Sequence, residues 1–137
     1  MSRTFQEKSS WVTLATVVVV FGFYFAVSLA RPTVDIRPHQ VFRFTGFVVI
    51  LAAIQVLGHV AIALHDRRTQ TDERDRLISL RGIRNGAYAL SMGVFGSLCV
   101  GLLVPGNFAF THALLGAWVV AQLVETGSRL WLYRREA

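Results

Sequence analysis

Two charged residues stand one helical turn apart inside an apolar stretch: Glu125 and Arg129, in the run from Phe108 to Trp131. A carboxylate and a guanidinium at i and i+4 share one helix face. An ionisable pair inside a candidate membrane span is the first place to look for a functional site. Gln122 lies three residues before Glu125, and in the run Val41 to Leu64 the pair Gln55 and His59 repeats the four-residue spacing. Both sets fall in the half of their run nearer the basic segments. Gln55, His59, Gln122, Glu125 and Arg129 are therefore expected to meet as one polar cluster near the inner leaflet. A carboxylate beside an imidazole can relay a proton or hold a cation. The plainer expectation is that Glu125 neutralises Arg129, that Arg129 reaches for the interface, and that His59 bridges a helix contact.

Other chemistry finds little to work with. Paired carboxylates, a His-rich motif, or a nucleophile with a nearby base are missing from the sequence pattern, so no catalytic residue and no enzyme activity are expected. His59 and His112 belong to opposite halves of their runs, which argues against a haem held by two histidines of one chain. His39, His112 and Asp35 would make only a weak metal set at the other surface. No metal or cofactor is expected. Cys99 is the single cysteine and falls mid-run, as a structural thiol would. The pI near 10.7 reflects basic loops that suit anionic lipid, and nucleic acid is not an expected partner.

Four runs must position these residues: Trp11 to Ala30, Val41 to Leu64, Ala87 to Val104 and Phe108 to Trp131. About 20 residues at 1.5 Å each cross a hydrocarbon core of about 30 Å, and lipid offers backbone groups no partner outside a helix. The fold class is thus an all-α integral membrane protein, one four-helix transmembrane domain over 1–137, with spans at 11–30, 41–64, 87–104 and 108–131 and a loop at 65–86. Ser28-Leu29-Ala30 has the small residues of a signal-peptide cleavage site. The first run is nonetheless expected to be retained, because its apolar core exceeds a signal peptide's and Pro32 follows closely.

The cationic residues fix an expected orientation. Arg3, Lys8, Arg67, Arg68, Arg74, Arg76, Arg81, Arg84, Arg134 and Arg135 fall on one side, and Arg31, Arg37 and Arg43 on the other. The positive-inside rule then puts both termini and the middle loop in the cytoplasm, in a multi-pass protein of the bacterial inner membrane. Trp11, Tyr88, Trp131 and Tyr133 would gather at the same boundary, where amphipathic rings prefer to sit.

Small residues mark the packing. Ala89, Gly93, Ser97 and Gly101 recur every four residues on the third run, and Ala109, Ala113, Ala117 and Ala121 on the fourth. Such rows let helix backbones approach closely. Val104-Pro105-Gly106-Asn107 is short enough to force the two helices antiparallel. Part of either row would serve equally between two copies of the chain, as a homodimer. The first run is apolar all round and reads as a peripheral, lipid-facing helix.

In the middle loop Thr71 can cap a helix whose first turn holds acidic residues, and Leu77, Ile78, Leu80 and Ile83 give it an apolar side. This helix is expected to run unbroken into the third span, with a kink at Gly82 or Gly86. The segment Asp72-Glu73-Arg74-Asp75-Arg76-Leu77-Ile78 resembles a family of small, functionally uncharacterised four-span membrane proteins of bacteria and archaea, which show an Asp-Glu-Arg motif between spans two and three. The resemblance covers that loop and the third helix. It implies a soluble protein partner, since similar proteins are encoded beside small helix-turn-helix regulators, and it places partner binding on Asp72, Glu73, Arg74, Asp75 and Arg76. It brings no catalytic residues. The favoured function is a non-enzymatic membrane anchor, sensor or accessory subunit acting through the loop helix on a cytoplasmic regulator or a larger membrane complex. The alternative is a small homo-oligomeric, proton-coupled transporter using Glu125. Short four-span exporters resemble the chain in size, but their essential Glu lies in the first span, where this chain has no ionisable residue.

Overall fold

The computed structural model describes residues 5–65 and 73–135, and among these it is entirely helical outside short connections. The helices are α1 (Phe5–Leu29), α2 (Pro38–His65), α3 (Glu73–Leu103) and α4 (Phe108–Arg135). All four are long and apolar enough to cross a membrane. Both described chain ends lie at one end of the bundle, the termini end; the α1–α2 loop and the α3–α4 turn lie at the other, the loop end.

Local chemistry explains the boundaries. Proline at position 32 stops α1, since its ring cannot continue a helix. The start of α2 carries one half of a capping box: Pro38 takes the first helical position, and the Gln40 side chain accepts the Arg37 backbone N–H at 2.8 Å. Glu73 and Asp75 occupy the first turn of α3, where negative charge suits the helix dipole. That helix starts at Glu73 and runs unbroken into the third span, as expected of the loop segment. Its 31 residues reach about 46 Å at 1.5 Å per residue, well beyond a hydrocarbon core of about 30 Å.

The helices form an open row in the order α2, α1, α4, α3, with the α3–α4 contact the most extensive. This corrects the expectation that α1 is peripheral. Val17, Phe21 and Tyr24 of α1 form a buried cluster with Val119 of α4, whereas no residue in the most apolar window of α2 is buried. A helix apolar on every side suits a protein interior as well as lipid. Small residues decide the matter here: Ser10, Thr16 and Ser28 are buried, letting neighbours close on α1, and Val12 of α1 packs against Gly58 of α2.

The α3–α4 seam is built from the expected small residues and from two more. A methyl group added at Gly93 would lie 2.5 Å from Ala117 Cβ, and one at Gly101 would lie 2.9 Å from the Phe110 ring. Ser97 is buried and returns its hydroxyl to the Gly93 carbonyl at 2.7 Å. The row continues through Gly86, against Glu125 and the Ala121 carbonyl, to Gly82 beneath Arg129. Gly82 and Gly86 are therefore close-packing positions within one continuous helix. Ala89, Ala109 and Ala113 are half-buried along the same hairpin and Ala121 is buried.

At the loop end the two connections are clasped together. Asn107 N–H donates to Asp35 Oδ1 at 3.2 Å, Ile36 N–H donates to Asn107 Oδ1 at 2.7 Å, and Phe108 N–H donates to the Val34 carbonyl at 3.1 Å. Gly106 adopts φ +84°, as the residue after proline does in a type II turn. A side chain there would also strike the Val34 carbonyl. Asp35 thus serves the loop clasp.

Candidate functional site

The polar residues expected to form one cluster are divided between two seams. On α2, Gln55 faces α1, where Thr13 Oγ1 donates to its side-chain oxygen at 3.3 Å. His59 donates Nδ1–H to the Gln55 carbonyl at 2.6 Å within the same helix. On α4, Glu125 and Arg129 form an ion pair, each side chain 23% exposed, and both face α3 at Gly86 and Gly82. Helix α1 stands between these groups in the row. Gln122 is half-buried. Depth along a span is legible from position, but the rotation that faces Gln55 to α1 depends on helix order, which the spacing does not set.

Glu125 is half-buried against its own hairpin. Its carboxylate is spent on Arg129, and glycine at position 86 gives it room: an added Cβ there would lie 2.8 Å from Glu125 Cβ. Half a turn toward the termini end, Asn85 Nδ2 donates to Ser128 Oγ at 3.1 Å. The Arg129 Nε is buried without a hydrogen-bond partner among the described residues. This geometry holds the two helices in register, with the Glu125 carboxylate paired and partly covered.

The termini end is also cross-linked. Tyr133 donates its hydroxyl to Asp75 Oδ1 at 2.9 Å, and both side chains are buried. Ile78, one turn further, is 1% exposed. Asp75, expected among the partner-binding residues, is buried and fastens α3 to α4. Glu73, Arg74 and Arg76 remain exposed, and Asp72 lies outside the described residues. The opposite side of the same helical segment carries a shallow groove lined by Leu77, Leu80, Arg81 and Arg84. Arg134 lies over Trp11, its guanidinium carbon 5.5 Å from the ring centroid, and Arg135 over Trp131 at 4.9 Å. These cation–π contacts tie the basic end to its aromatic residues.

A further site was not foreseen from the sequence. Tyr24 of α1 and His112 of α4 are both buried, their rings parallel within 10° and their centroids 5.8 Å apart. His112 Nδ1 donates to the Phe108 carbonyl at 2.9 Å, which leaves Nε2 to accept the Tyr24 hydroxyl at 3.2 Å. Phe25, Phe44, Phe47 and Phe108 surround the pair. A cavity of about 190 Å³ opens beside it, with Gln40 and Thr111 among its lining residues. Position offered one signal: Tyr24 is the only tyrosine in the first run, and a buried hydroxyl needs a partner.

Among the described residues no group of three or more His, Cys, Asp or Glu side chains could hold a metal ion. No known protein family, curated protein or solved structure matches the chain.

Proposed function

We propose that this chain is a non-enzymatic multi-pass protein of the bacterial inner membrane, an accessory subunit or anchor that presents the basic end of α3 to a second protein. Both termini and the N-terminal end of α3 face the cytoplasm in this reading. The charge asymmetry supports that orientation: ten of the 14 cationic residues gather at the termini end or in the segment joining α2 to α3.

The observation that carries the proposal is the division of labour on α3. One face is consumed by α4, through Asp75, Ile78, Gly82 and Gly86. The other leaves Leu77 52% and Leu80 54% exposed beside Arg81 and Arg84. Asp75 and Ile78 bind this segment to α4, which favours a segment that extends the axis of the span over one that lies flat on the lipid. Apolar residues flanked by guanidinium groups fit an amphipathic segment with carboxylates on its rim. The resemblance in the Asp-Glu-Arg segment points to the same end of the molecule, through Glu73, Arg74 and Arg76. The transporter reading has weaker support, since Glu125 is ion-paired with Arg129.

The experiment is photo-crosslinking from a benzophenone amino acid at Leu77 or Leu80 in native membranes, repeated with Arg84→Glu. A defined protein adduct that disappears with Arg84→Glu fits the proposal. Adducts only to lipid or to the chain itself, or an adduct indifferent to Arg84→Glu, overturn it.

A further inference from the structure

Three arginines lie at the end of the bundle where the charge bias predicts few. Arg31 follows α1, Arg37 caps α2, and Arg43 is half-buried more than a turn into α2. All three line one cavity of about 580 Å³, together with His39. Among the described residues, none of these guanidinium groups is hydrogen-bonded or ion-paired, and the one carboxylate of this loop, Asp35, accepts the Asn107 N–H instead. Like charges converging on one cavity repel unless an anion lies between them, and the repulsion grows where apolar walls displace water.

We infer that this cavity is a binding site for a phosphate-bearing anion, held by Arg31, Arg37 and Arg43. Guanidinium groups present paired N–H donors that match the oxygens of a phosphate ester. Ala26, Val27 and Ala30 of α1 line the same cavity, an apolar surface beside the arginines. That combination fits the headgroup of an anionic phospholipid, its phosphate on the arginines and the first carbons of its chains on the alanines. The inference rests on the helices crossing a bilayer and is independent of any partner at α3.

The test is native mass spectrometry of the protein released from micelles that contain equal phosphatidylglycerol and phosphatidylcholine. The unaltered chain retains phosphatidylglycerol in preference. Arg43→Gln lowers that retention roughly tenfold, as loss of one charge-assisted hydrogen bond should, Arg37→Gln acts likewise, and Arg135→Gln at the opposite end leaves it unchanged. Thermal midpoints matching the unaltered chain show that the variants are folded. Added inorganic phosphate distinguishes the source: retention unaffected by it identifies the lipid headgroup, and displacement at low concentration identifies the free anion as ligand. Equal retention of the two lipids together with no competition by phosphate overturns the site, as does an Arg135→Gln loss equal to that of Arg43→Gln.

Discussion

The Tyr133 hydroxyl of α4 donates to the Asp75 carboxylate of α3 across 2.9 Å, with both side chains buried. The bond joins the last turn of one helix to the first turn of its antiparallel neighbour. It is made at the end of the seam where the glycine row has already given way to Ile78. The Asp75 carboxylate of the Asp-Glu-Arg segment is thereby committed to the fold.

Tyr133→Phe removes the donor and leaves a buried carboxylate short of a partner, a loss of about 1–3 kcal/mol. Asp75→Asn keeps an acceptor oxygen and costs less. Unfolding by dodecyl sulfate titration in mixed micelles reads both, and a tyrosine replacement that costs nothing would refute the fastening role.

Gly93 and Gly22 give a contrast within one chain. A side chain at Gly93 meets Ala117 across the α3–α4 seam, whereas one at Gly22 meets nothing within 4 Å. Gly93→Val should destabilise the hairpin by about 1–3 kcal/mol through overpacking, and Gly22→Val should fall well below it. The same denaturant titration compares them. Equal effects would mean that the seam is not where the small-residue row acts.

Much of this was legible beforehand, for identifiable reasons. Four apolar runs, and the turn around Pro105-Gly106, set the helices and the α3–α4 pairing, because bilayer thickness and loop length are one-dimensional constraints. The alanine and glycine rows foretold which faces meet there. Helix order was not legible: α1 is apolar all round, and nothing along either α1 or α2 says which one α4 will cover. From that single ambiguity followed the misplaced periphery, the scattered Gln55 and Glu125, and the unseen Tyr24–His112 pair.

Tyr24 and His112 connect the two halves of the row, so their hydrogen bond should be measurable as coupling between α1 and α4. Tyr24→Phe keeps the ring stack and removes only the donor. Interhelical hydrogen bonds of this kind average about 0.6 kcal/mol and reach about 1.7, so a loss in that range is expected. His112→Phe should cost a similar amount, and the double variant less than the sum of the two. Strict additivity in the cycle would show that the two side chains do not interact.

Glu125 separates the structural reading of the α3–α4 seam from the transport reading. If its task is to neutralise Arg129, then Glu125→Gln leaves a partly buried guanidinium uncompensated and destabilises the hairpin. With each side chain 23% exposed, solvent screening holds the loss to about 1–2 kcal/mol. Replacing both residues with glutamine removes the uncompensated charge and should recover most of that stability, because the cost of the single variant is the orphaned charge and not the missing bond. Vesicles containing the unaltered chain, the single variant or the double variant should show the same proton permeability. A proton flux present in the unaltered chain and abolished by Glu125→Gln, with the hairpin still folded, would reverse the assignment and make this carboxylate the coupling group of a transporter.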